Sequence, residues 1–105
     1  MVQFAILAQI KAKPGKEAEV EAFLKSALPL ANAETGTLVW FAVKLGPSTF
    51  GIFDAFADEA GRSAHLSGPI AQALMANAAE LLAEPPVIEK ADILAAKLWS
   101  SPLSQ

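Results

Sequence analysis

Apolar positions recur along this chain in two periods, and the changes from one to the other mark out the elements. Val2, Phe4, Ile6, Ala8 and Ile10 share one parity; Gln3, Ala5, Leu7, Gln9 and Lys11 share the other. That alternation predicts a strand of about ten residues, buried on one side and mixed on the other. Lys13-Pro14-Gly15-Lys16 is turn chemistry that ends it. Val20, Phe23, Leu24, Ala27, Leu28 and Ala31 then recur at spacings of three and four, which predicts a helix with one oily stripe. Glu17, Glu19 and Glu21 lie near its start, where the helix dipole favours acids, and Glu21 is one turn from Lys25. Pro29 falls inside the pattern, removes a backbone donor and clashes with the Lys25 carbonyl, so a kink or an early end is expected there. Glu34-Thr35-Gly36 closes the helix.

The stretch from Thr37 to Ala57 reads TLVWFAVKL, GPS, TFGIFDAFA: two apolar runs joined by a turn. Successive side chains of a strand point to opposite faces, so a sheet with one wet face reads apolar, polar, apolar. Neither parity is polar here. Leu38, Trp40 and Ala42 alternate with Val39, Phe41 and Val43, and Phe50, Ile52, Asp54 and Phe56 alternate with Gly51, Phe53 and Ala55. A hairpin oily on both faces needs a cover on each, and a chain this short has helices enough for one. The other face is expected to meet a second copy of the same sheet.

After the hairpin, Asp58 is a plausible N-cap for a short helix over roughly Glu59 to Leu66. Ser67-Gly68-Pro69 breaks it, and Pro69 suits the first turn of the next helix. That helix carries Ile70, Ala73, Leu74, Ala78, Leu81 and Leu82 on one side and ends before Pro85-Pro86. A last strand is expected over about Val87 to Leu98, followed by a loose polar tail over 100–105. The order β-α-β-β-α-α-β, with helices on one face of one antiparallel sheet, is an α+β ferredoxin-like arrangement. Residues 1–99 are expected to form a single domain.

Composition sharpens this. The 105 residues suffice for one core and no more. Hydrophobic residues make up 53% and charged residues 18%, below the roughly 25% charge usual for soluble domains. That deficit again points to surface buried by a partner. The net charge is −3 with scattered Lys and Arg, which leaves no nucleic-acid footprint. There is no cysteine, hence no disulfide, thiolate nucleophile or Cys-ligated metal. The opening MVQFAILAQIKAK alternates and lacks a basic region, so it reads as strand and not signal peptide. No stretch approaches the ~20 apolar residues of a membrane span. A cytoplasmic protein without membrane or nucleic-acid partners is expected.

The candidate chemistry is sparse. One histidine and no cysteine cannot build an ordinary transition-metal site, and no glycine-rich phosphate loop follows a strand. Asp54 shares its parity with Ile52 and Phe56 and is placed on the helix-covered face. A lone carboxylate among aromatics needs a raised pKa or a partner. His65, eleven residues on, is that candidate partner, and is expected to be a partly exposed histidine at a helix end. Two readings stand side by side: a structural bond that satisfies buried groups, or an acid–base pair in which Asp54 fixes the tautomer and the second ring nitrogen acts as base. A short turn would put Phe41 and Phe56 on Asp54's face, lining a pocket with Ile52, and would leave Trp40 and Phe53 for the dimer contact. Met75 and Asn77 are expected to line the pocket from the last helix, or else to face solvent.

The order of elements resembles the antibiotic biosynthesis monooxygenase domain, the dimeric α/β-barrel group that includes quinol monooxygenases. The resemblance lies in AKPGKEAEVEAFLKSAL, ETGTLVWFAV, FGIFDAFADEAGRSAHL and PPVIEKADILAAKL, nearly the whole domain. Its most specific part is FDAFADEAGRSAHL, similar to the family's aromatic-acid-x-aromatic strand followed by a helix ending in Ala-His-Leu. The second histidine that quinol-type members often carry five residues later is here Ile70. Where the haem-degrading branch places an asparagine and a tryptophan, this chain has Ala8 and Phe56, and it has no histidine on the last helix. The resemblance implies a homodimer and oxidation of a quinol or polycyclic dihydroxy-aromatic compound by dioxygen, without metal or organic cofactor. The alternatives are a non-catalytic small-molecule-binding dimer on the same fold, or an isomerase or lyase of the same scaffold.

Overall fold

The computed structural model describes residues 2–98. The elements run β1 (Phe4–Lys11), α1 (Glu17–Ser26), α2 (Leu28–Ala33), β2 (Thr37–Lys44), β3 (Thr49–Phe56), α3 (Glu59–Leu66), α4 (Pro69–Leu81) and β4 (Val87–Asp92). The strands form one antiparallel sheet in the order β2-β3-β1-β4, so β1 and β3 are central and β2 and β4 are edges. The helices cover one face, giving the ferredoxin-like α+β sandwich. Ala8, Ile10, Phe50 and Ile52 of the sheet pack there against Val20 and Leu24 of α1 and Leu74 and Leu81 of α4. Removing side chains of this size from water contributes roughly 1.5–3 kcal/mol each.

Local signals set several boundaries. Gly15 takes φ +86 in the turn after β1, and its N–H donates to Glu17 Oε1 at 2.9 Å as α1 begins. Glu21 pairs with Lys25 at 3.1 Å. Pro29 does not kink one long helix. The chain breaks at Ala27, which ends α1 and starts α2, with the proline in α2's first turn. The last strand stops at Asp92, short of the expected Leu98, and residues 93–98 continue without regular structure. The expected loose tail lies outside the described residues. Among the described residues no helix is long and apolar enough to cross a membrane.

The hairpin corrects a prediction. Lys44 opposes Phe50, Ala42 opposes Ile52 and Trp40 opposes Asp54, so even positions of β2 face even positions of β3. The connection is one residue different in parity from the short turn expected; the N–H groups of Leu45 and Gly46 donate to the Thr49 carbonyl at 2.8 and 3.2 Å. A one-residue change of register sends a whole strand's side chains to the other face. Trp40 is therefore on the helix-covered side, half-buried against Ala27, Ala31 and Ile70. Phe41 is on the bare side with Phe53, 56% and 36% exposed respectively. The assignments of Trp40 to the bare face and Phe41 to the pocket face are reversed. Near its start β2 carries an irregularity between Thr37 and Val39, which shifts the pairing by one and leaves Leu38 half-exposed.

Candidate functional site

The site is assembled from three segments far apart in sequence. The central strand β3 presents Asp54 between Ile6 of β1 and Trp40 of β2, with no solvent exposure. His65 comes from the last turn of α3. That helix is started by Asp58, whose Oδ1 accepts the Gly61 N–H at 2.7 Å. It is tied down by Arg62, whose Nη1 donates to the carbonyls of Ala5 (3.3 Å) and Ala91 (3.2 Å) while its Nε and Nη2 hold Glu59. So anchored, α3 lays His65 over Phe56, with ring centroids 5.4 Å apart, and brings Nε2 to 2.8 Å from Asp54 Oδ2.

The third segment was not singled out from the sequence. Glu34, at the extended C-cap of α2, places Oε1 2.6 Å from His65 Nδ1. Thr37 Oγ1 donates to the same oxygen at 2.6 Å. Two glycines bring this loop so close. A Cβ built on Gly36 would meet the Gly61 Cα at 2.8 Å, and one on Gly61 would meet the Gly36 carbonyl oxygen at 2.9 Å. The α2–β2 loop and α3 therefore touch backbone to backbone, which no side-chain pair permits. The sequence offered one faint cue: an acid at a helix C-terminus, where the dipole disfavours it.

The row Glu34–His65–Asp54 has a definite charge state. Burial lowers the His65 pKa, but the hydrogen-bonding and Coulombic pull of Asp54 and Glu34 outweighs it and raises the group to about 9. At neutral pH the ring is an imidazolium with both nitrogens carrying protons toward carboxylates. His65, expected to be partly exposed, is only 8% exposed, and Glu34 occupies the second ring nitrogen that the sequence reading left free to act as base. His65 Nε2 and Asp54 Oδ2 form an ion pair at 2.8 Å, and neither Asp54 oxygen has another hydrogen-bond partner. Glu34 Oε2 and Trp40 Nε1 are likewise buried without a hydrogen-bond partner.

The other expected pocket residues do not gather around this row. Phe56 does, under the imidazole. Ile52 belongs to the main core. Asn77 donates to the Ala73 carbonyl at 2.8 Å and borders a cavity of only about 10 Å³ among Ile10, Leu24 and Leu74. Met75 is 58% exposed, and Phe41 is on the opposite face of the sheet. What opens beside the row instead is a depression of about 270 Å³ between the α2–β2 loop and the α3–α4 junction, bordered by Glu34, Thr37, Gly61, Ala64, His65 and Gly68. Among the described residues no group of three or more His, Cys, Asp or Glu side chains is arranged to hold a metal ion.

No family model and no curated protein matches the chain. Solved structures do. The NE2512 protein of unknown function from Nitrosomonas europaea is 65% identical, with a TM-score of 0.93 over 96% of this chain and 98% of that one. A structure described as “putative antibiotic biosynthesis monooxygenase” from Caulobacter crescentus CB15 matches at 24% identity and TM-score 0.75, covering 90% of this chain and 92% of its own. Another so described, from Nitrosomonas europaea, matches at 15% and 0.78 over 88% and 90%. At those identities the last two show a shared fold. The chain belongs to one family with NE2512, built on the fold of the antibiotic biosynthesis monooxygenase structures.

Proposed function

We propose that this protein is a monooxygenase that oxidises a quinol or polycyclic dihydroxy-aromatic compound with dioxygen, without a bound metal or organic cofactor. In such a reaction the substrate does the hard step: a hydroxyl loses its proton and the resulting anion passes an electron to dioxygen. The protein must accept the proton and keep the anion oriented in a site shielded from water. The observation that carries this reading is the buried row Glu34–His65–Asp54, an imidazolium between two carboxylates at the edge of an open depression. Buried charges with a strongly shifted pKa beside a concavity are a recurrent mark of acid–base sites. The names of the more distant fold relatives support the reaction class.

Oxygen consumption with a panel of hydroquinones and polycyclic phenols tests it. Uptake is expected with the free hydroxyl compounds and not with their methyl ethers, which have no proton to give up. Tight binding of the panel with no uptake above buffer would overturn it in favour of a non-catalytic binding protein. The filled interior between sheet and helices, with its cavity of about 10 Å³, is what favours that second reading.

The same proposal includes a homodimer through the bare sheet face. Leu7, Phe41, Val43 and Phe53 are all exposed there, with Leu7, Phe53 and Phe41 side by side across three strands, and a contiguous apolar face of this kind suits an isologous contact. In this reading Phe41, which opposes Phe53, stands beside it where Trp40 was expected. Sedimentation at micromolar concentration should give a dimer, and Phe41→Glu with Phe53→Glu a monomer; a monomeric parent protein would refute it.

A further inference from the structure

We propose that the narrow space between α1, α4 and β1 is a holding site for one small apolar gas molecule of dioxygen's size, entered past Leu24. Ile10 of β1 is its floor, Val20 and Leu24 of α1 form one wall, and Leu74 and Leu81 of α4 form the other, all of them buried. The volume is about 10 Å³, at the lower end of the roughly 10–15 Å³ that one water-sized molecule needs. That excludes an aromatic ring and admits a diatomic molecule. Water is disfavoured by its chemistry, because a buried water makes about three hydrogen bonds. Asn77 is the one polar side chain on the lining, and its Nδ2 already donates to the Ala73 carbonyl at 2.8 Å.

An empty apolar space forfeits the dispersion contacts of the atoms that line it. A nonpolar guest restores them and asks for no hydrogen bond in return. Leu24 supplies the way in. It is the one lining residue that also borders the open depression of about 250 Å³ between α1 and the end of β2, beside Ala42, Lys44 and Phe50. Its side chain is therefore the partition between that depression and the interior space. Ile10 is four residues along β1 from Ile6, the cross-strand neighbour of Asp54, so the space is about 13 Å along the strand from the charged row. A gas molecule there is held in reserve, away from the row. That dioxygen is the guest of consequence rests on the monooxygenase reading above; the site itself does not.

Oxygen gas is the probe, read by NMR of the methyl-labelled full chain, because dioxygen is paramagnetic and speeds the relaxation of nuclei it visits. Under oxygen pressure the methyls of Val20, Leu24, Leu74 and Leu81 should relax severalfold faster than under the same pressure of nitrogen. The excess should exceed that at Ile6 and Ile70, which are similarly buried but do not line the space. Val20→Ile puts an extra methylene into the space and should bring the excess down to the level of Ile6. Leu24→Ala removes the partition and should raise it at Leu74 and Leu81. The parent chain decides the existence of the site by itself, so a variant that folds poorly does not remove the test. Lining methyls no more affected than Ile6 and Ile70, an excess untouched by Val20→Ile, or an effect confined to Leu7 and Val43 of the bare face would each overturn the site. An excess that a folded Leu24→Ala chain leaves unchanged would overturn the route. The site and the reaction fail separately. An oxygen effect at these methyls with no quinol turnover supports the site and removes the reaction; turnover without the effect does the reverse.

Discussion

His65→Ala should be less stable than the parent protein by about 3–5 kcal/mol, the usual loss when one partner of a buried ion pair is removed. The large effect follows from what is left behind. Asp54, 1% exposed at its side chain, and Glu34, 15% exposed, would remain in the interior with no cation between them. Phe56 would also lose the ring packed 5.4 Å away. For a domain of about 100 residues, 1 kcal/mol moves Tm by roughly 4–8 °C, so a fall of more than about 10 °C is expected in a thermal melt. Changing His65→Gln and Asp54→Asn together should recover part of that loss, because Glu34 is then the one carboxylate of the row left without its cation. A His65→Ala variant within about 1 kcal/mol of the parent would mean that the row is not held together in solution.

Stability should also fall on the alkaline side of neutrality. His65 is raised from an ordinary 6.5 to about 9 in the folded protein. Between those values the folded chain holds a proton that the unfolded chain has released. The stabilisation is therefore complete below about pH 6.5 and is lost as pH rises through about 9. At about 1.4 kcal/mol per pH unit, the gap sets a ceiling of about 3.5 kcal/mol on the loss. Urea unfolding at pH 6 and at pH 9.5 measures it. His65→Gln should be flat across the same window, and a parent protein equally flat would show that the imidazole is neutral when folded.

Much of the fold was legible because its signals are local. The parity of β1, the acid that caps α3 and the proline that opens α4 each act within a few residues, and those elements were placed by sequence. The meeting of Asp54 with His65 was legible for the same reason, since strand parity fixed one and a short helix carried the other. The exchange of Trp40 and Phe41 between faces shows where such reasoning stops. Parity within a strand is intrinsic, but the register between β2 and β3 depends on how the chain turns at Leu45 and Gly46. Glu34 was out of reach because its partner is 31 residues away and the approach rests on two glycines, whose defining property is what they lack.

The backbone contact between Gly36 and Gly61 bears on how fast anything enters or leaves the depression. A mouth framed by side chains opens when a rotamer flips, on the picosecond to nanosecond scale. Here one lip is main chain resting on main chain, so rotation of a side chain does not widen it. Widening that lip takes a displacement of the α2–β2 loop itself. Such loop motion runs over nanoseconds to microseconds. The rate at which that lip opens is then set by the loop's stiffness more than by any one side chain.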